Sequence, residues 1–92
     1  MKKSEVIKQR LKEKNKKFWA NDNISEVLED GDKQALIDEA TEAFENVLDS
    51  LVIDRENDPN SMDTGRRMAK MYINEIMRGR YDPMPNPSAF HN

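Results

Sequence analysis

The chain has no cysteine, one histidine and three glycines in 92 residues. Without cysteine there is no disulfide, no thiolate metal site and no thiol nucleophile. The single histidine, His91, has no thiol or second imidazole to join it. A zinc site would have to rest on carboxylates alone, so no metal and no cofactor is expected within this chain. Ser4, Ser25, Ser50, Ser61 and Ser88 likewise lack a histidine close in sequence that could act as base. No catalytic residue is expected from a nucleophilic triad. No apolar run approaches the length of a membrane span, and the basic start Met1-Lys2-Lys3-Ser4 runs into Glu5 with no apolar stretch of a secretory leader behind it. A cytoplasmic chain with no membrane partner is expected.

Charge is abundant, at 36% of residues, and it is segregated. Residues 1–19 carry eight Lys/Arg against two Glu (+6), residues 20–63 two against fourteen acids (−12), and residues 64–92 five against two (+3). Blocks of alternating sign attract one another within a chain or between subunits, so nucleic acid is not the expected partner. At this length the chain forms one domain at most, with a thin core and a stability that leans on a partner.

The order of residues predicts an all-α fold. Ser4 suits an N-cap, and Ile7, Leu11 and Phe18 follow at spacings of four and seven, giving a basic amphipathic helix over residues 1–19. Residues 20–81 read as a helical region. Ala20-Asn21-Asp22-Asn23 breaks the first helix, Ile24, Val27 and Leu28 suggest a short one, and Gly31 ends it. Asp32 then caps the strongest helix, with Leu36, Ile37, Ala40, Phe44, Val47, Leu48 and Leu51 on its packing face and acids opposite. After the turn formers of residues 54–61, Asp63 or Thr64 caps a second long helix with Met68, Ala69, Tyr72, Ile73 and Ile76 as its stripe and Gly79 as its C′ residue. The two longer helices are expected to form an antiparallel pair. Residues 82–92, with Pro83, Pro85 and Pro87, read as an extended proline-rich connector.

Two constellations invite a chemical reading. Asp54, Glu56, Asp58 and Asn60 alternate as in a calcium loop, but the sixth position is Pro59 where Gly is needed and the twelfth is Gly65 where Glu is needed. A solvated loop fits better. Arg66, Arg67 and Lys70 cluster at the start of a helix, where free amides favour anions. No glycine-rich phosphate loop accompanies them, so contact with an acidic helix or a neighbouring subunit is the stronger expectation.

The helix around residue 70 carries the pattern R-x-A-K-M-Y-x-x-E-[IV]-[FM]-x-G, met by Arg67, Ala69, Lys70, Met71, Tyr72, Glu75, Ile76, Met77 and Gly79. Upstream, Phe18-Trp19-Ala20-Asn21-Asp22-Asn23-Ile24 matches F-x-A-N-D-N-I. In both stretches the chain resembles the helical N-terminal region of GTP cyclohydrolase I, in its bacterial and phage-type branch, over roughly residues 7–92. One departure is Gly65, where that family commonly has Pro or Ala, so a looser helix start is expected.

The resemblance implies a fold and a division of labour. Enzymes of that family convert GTP to 7,8-dihydroneopterin triphosphate, in pterin, folate or deazapurine biosynthesis, with zinc held by two cysteines and a histidine. Those residues belong to a C-terminal α+β domain that the resemblance places after Asn92. The chain is thus expected to be a truncated or split member, inactive alone, whose helices serve packing in a homo-oligomer or with a complementary catalytic-domain chain. Two alternatives are a free-standing helical interaction protein that binds a full-length cyclohydrolase, and a nucleic-acid or membrane-surface binder acting through residues 2–17.

Overall fold

The computed structural model describes residues 1–84, and among them there are helices, turns and connectors but no strand. Pro85, Pro87 and His91, and with them most of the expected connector, lie outside the described residues. Asp82 does leave helical geometry, at φ −85° and ψ 145°.

The first helix, α1, spans Lys3–Glu13 and is shorter than the sequence suggests. Asn15 takes a left-handed φ of 55°. Its N–H bonds the Lys12 carbonyl and the Lys16 N–H bonds that of Leu11, which closes the helix in a Schellman cap. Asn tolerates that conformation, because its short polar side chain can bond locally. Phe18 therefore reaches the core from a non-helical segment, against the same cluster as Ile7 and Leu11. The N-cap also differs. Lys2 holds that position, while the backbone N–H and hydroxyl of Ser4 both donate to the Glu39 carboxylate.

A single 3-10 turn, Ser25–Val27, follows the Asn-rich break. The Asn23 side-chain oxygen starts it by accepting from the N–H and the hydroxyl of Ser25. Gly31, at φ 83°, is the N-cap of α2, Asp32–Ser50. Asp32 lies one position inside the helix, and its carboxylate turns back to accept from the Glu29 N–H at 2.8 Å. At the other end Val52 takes a left-handed φ of 62°, so that its N–H meets the Asp49 carbonyl and that of Ile53 meets the Leu48 carbonyl. This second Schellman cap uses a β-branched residue where glycine or asparagine is usual, at a steric cost.

The third helix, α3, spans Thr64–Met71, with Asp63 as its N-cap. Gly65 is buried against α2, and a Cβ there would stand 2.7 Å from Glu45 Cγ and 3.2 Å from the Thr41 carbonyl oxygen. The departure that suggested a loose helix start instead permits the closest approach of the two helices. Beyond Met71 the helix does not continue regularly. Tyr72–Ile76 widens into a π turn, closed by Met77 N–H to the Tyr72 carbonyl at 2.8 Å, and Met77 (φ −109°, ψ 25°) separates it from a last short helix, α4, Arg78–Tyr81. Gly79 therefore sits inside α4, not one residue past a helix end.

The core is thin. One cluster joins Ile7, Leu11, Ile24 and Val27; a second joins Ile37, Ala69 and Ile73; Leu36 and Tyr81 pack against both. On α3 the buried row is Gly65, Ala69 and Ile73, at strict four-residue spacing, with Met68 half-buried. Tyr72 stays partly exposed, stacked on Phe44 at 5.4 Å, and Ile76 is 59% exposed. On α2, Ile37 and Leu48 are buried and Leu36, Ala40 and Phe44 half-buried, but Val47 and Leu51 are 52% and 64% exposed. The cause is length. The eight residues of α3 begin opposite Thr41 and Glu45, so the last turn of α2 projects beyond its partner.

Candidate interaction surface

Two segments far apart in sequence are locked together at the N-terminal end of α2. The Arg80 guanidinium donates to three carbonyls of the 18–22 stretch: Phe18 at 3.2 Å, Trp19 at 2.5 Å and Asp22 at 3.1 Å. In return the Asn23 side-chain amide donates to the carbonyls of Gly79 at 2.9 Å and Asp82 at 2.7 Å, and the Ile24 N–H to that of Arg80 at 2.7 Å. Each residue supplies what the other segment lacks. An irregular stretch leaves carbonyls unpaired, and a fork of guanidinium donors matches several of them at once. Lys33 of α2 completes the clasp with Asp82 at 2.8 Å.

A second polar cluster ties α1 to α2. The Asp32 carboxylate, 2% exposed, meets the Arg10 guanidinium at 2.5 Å and the Lys3 ammonium at 3.2 Å. Arg10 also reaches the Val27 carbonyl and Glu29. Burial on its own would raise the pKa of Asp32. The Glu29 N–H, Arg10 and Lys3 outweigh it and hold the carboxyl at about 2, below its ordinary 3.8. Glu39 is likewise held below its usual range, with burial opposing and the two Ser4 bonds prevailing.

The cluster Arg66, Arg67 and Lys70 does not build an anion site. Arg66 pairs with Asp38 on α2 at 3.2 Å, while Arg67 and Lys70 are exposed and make no ion pair among the described residues. Asp54 and Asp58, in the loop read as solvated, hold its turns through Asn57 and Asn60. Among the described residues no three His, Cys, Asp or Glu stand close enough to hold a metal ion. No helix there is long and apolar enough to cross a membrane.

What the surface offers is apolar and located at the two ends of α2. At the clasp end Trp19 is 72% exposed beneath the Lys17 ammonium, 4.3 Å from the ring centre. Beside it an open depression of about 210 Å³ is lined by Ala20, Asn21, Ile76, Met77, Gly79 and Arg80. At the opposite end Val47, Leu51 and Val52 form an exposed ridge, Val52 being 91% exposed. Along the flank, Ala40, Phe44, Tyr72 and Met77 line a wider groove of about 370 Å³. Asn23, Arg80 and Asp32 carry most of this organisation. Asn23 and Arg80 fall within or beside the family-like stretches, yet nothing in their types or spacing indicates that they pair with each other.

Comparison with known protein families, with curated proteins and with solved structures gives no match to this chain.

Proposed function

We propose that the chain is a non-catalytic helical part of a GTP cyclohydrolase I-type assembly, working in the cytoplasm, whose role is packing and subunit association. In this reading α2 and α3 act as an antiparallel pair. The observation that carries it is the clasp. The two stretches through which the sequence resembles that family, residues 18–24 and the helix leading to Gly79, come together through Asn23 and Arg80. Side chains spent on backbone carbonyls in this way serve architecture. The sequence itself has no cysteine and a single histidine, His91. The zinc and the acid–base groups of that chemistry would come from a catalytic-domain chain.

The test has two parts. Purified chain incubated with GTP and zinc is expected to form no pterin, and co-expression with a zinc-binding cyclohydrolase domain is expected to give a stable complex. Turnover by the 92-residue chain alone overturns the reading. A free-standing interaction protein is the second reading, favoured by the exposed Trp19 and Val52, and co-purification with intact cyclohydrolase would support it.

A further inference from the structure

We propose that the chain associates head to tail with a second copy, the Val47–Leu51–Val52 ridge of one entering the Ala20–Ile76–Arg80 depression of the next. This rests on the association reading above and specifies its surface. Four observations converge on it.

The first is strain. Val52 holds a left-handed backbone with φ 62° and still directs a β-branched apolar side chain into solvent. Among the described residues nothing covers that side chain, and a glycine would close the same helix cap at lower cost. Strain of this kind marks a position held for another purpose.

The second is shape. The ridge projects past the end of α3, and the depression is concave. Its walls are fixed by the bonds of Arg80 and Asn23 across the clasp, so little ordering remains to be done on contact. An exposed Trp19 flanks it, and tryptophan is among the residue types enriched at the energetic centres of interfaces.

The third is charge. Residues 42–58, which carry the ridge, hold six acids against one Arg (−5). Residues 16–22 and 76–82, the segments that carry the lining of the depression, hold four Lys/Arg against two Asp (+2). Lys16 and Lys17 are shared with Glu26 and Asp22, and Arg80 with the carbonyls of the clasp, which leaves Arg78 to meet the acids of a neighbour.

The fourth is separation. Ridge and depression lie at opposite ends of α2, whose 19 residues span about 28 Å. One chain cannot satisfy one end with the other. A second copy can, through a heterologous contact that either closes a ring or propagates.

Sedimentation of the wild-type chain over a concentration series is expected to show self-association that weakens with added salt. Val52→Gly relieves the strain and removes the knob, so it should raise the unfolding midpoint yet weaken association about tenfold. Ile76→Asp places an acid in the depression and should weaken it similarly, with Trp19→Ala as a milder variant of the same face. Each variant keeps one competent end, so mixing Val52→Gly with Ile76→Asp chains should give a complex of two chains and no larger.

Three results would overturn the docking. Association unchanged in all three variants moves the contact to another face and leaves the association reading standing. Loss in Val52→Gly alone, without recovery on mixing, makes the ridge pair with itself. A monomer at every concentration removes both the docking and the self-association it specifies, while a complex with a catalytic-domain chain would keep the broader reading.

Discussion

The two ends of α2 are built on different principles. At the clasp end, polar groups are paired across 56 to 62 residues of sequence by Asn23 and Arg80, and the Asp32 carboxylate collects two cations from another helix. At the loop end the side-chain bonds and ion pairs run over two to ten residues, from Asp58 with Asn60 to Arg55 with Asp49 and Glu45. Distant pairing fixes where segments sit relative to one another. Local pairing fixes only the path of the loop, which leaves the ridge free to face outward and the Val52 strain unrelieved by packing.

Substitutions break this comparison in order of size. Asp32→Ala strands Arg10 and Lys3 beside a buried gap and should cost about 3 kcal/mol, read by urea unfolding. The same carboxylate sets an acid limit. Because its folded value of about 2 lies below the ordinary 3.8, its contribution is complete above pH 4 and is lost as the pH falls toward 2. Circular dichroism across that window should show wild type losing stability more steeply than Asp32→Asn. Arg80→Ala leaves three carbonyls of the 18–22 stretch without their donor and should cost about 2 kcal/mol, with increased amide exchange at Asn23 and Ile24. Gly65→Ala forces Glu45 and the Thr41 backbone apart, for about 1 to 2 kcal/mol in thermal unfolding.

The loop end should respond in the opposite sense or hardly at all. Val52→Gly is expected to stabilise the monomer by about 1 kcal/mol. Leu51→Ser, at a position already 64% exposed, should change monomer stability by less than about 0.5 kcal/mol. A large loss at Leu51 in dilute solution would mean that the two ends do not differ as described.

The helical class was legible because periodicity of apolar residues survives any detail of packing. Ile7, Leu11, Ile37 and Leu48 are buried where that pattern puts them. The stripe expected on the second long helix, Met68, Ala69, Tyr72, Ile73 and Ile76, straddles the buried row: Ala69 and Ile73 are buried, Met68 is half-buried, and Tyr72 and Ile76 are exposed. Its true row begins at Gly65, which hydrophobicity does not mark, and continues through the small Ala69 to Ile73. The exposure of Val47 and Leu51 depends on the length of the neighbouring helix, a tertiary property. Asn15 as the end of α1 was written in the sequence, but a run of helix-tolerant lysines masked it. The pairing of Arg80 with residues 18–22 had no local trace, because a guanidinium that binds carbonyls leaves no acid in the sequence as its partner.

The π turn at Tyr72–Ile76 makes the segment between Gly65 and Arg80 a matter of counting. Each helical residue turns the chain by about 100°, so the wide turn sets the angle at which Arg80 arrives at the carbonyls of Phe18 and Trp19. Asn74 and Glu75 are exposed and contribute no core side chain. Removing either would leave composition almost untouched yet rotate everything downstream out of the clasp. What the clasp requires of these two positions is their number, not a core side chain.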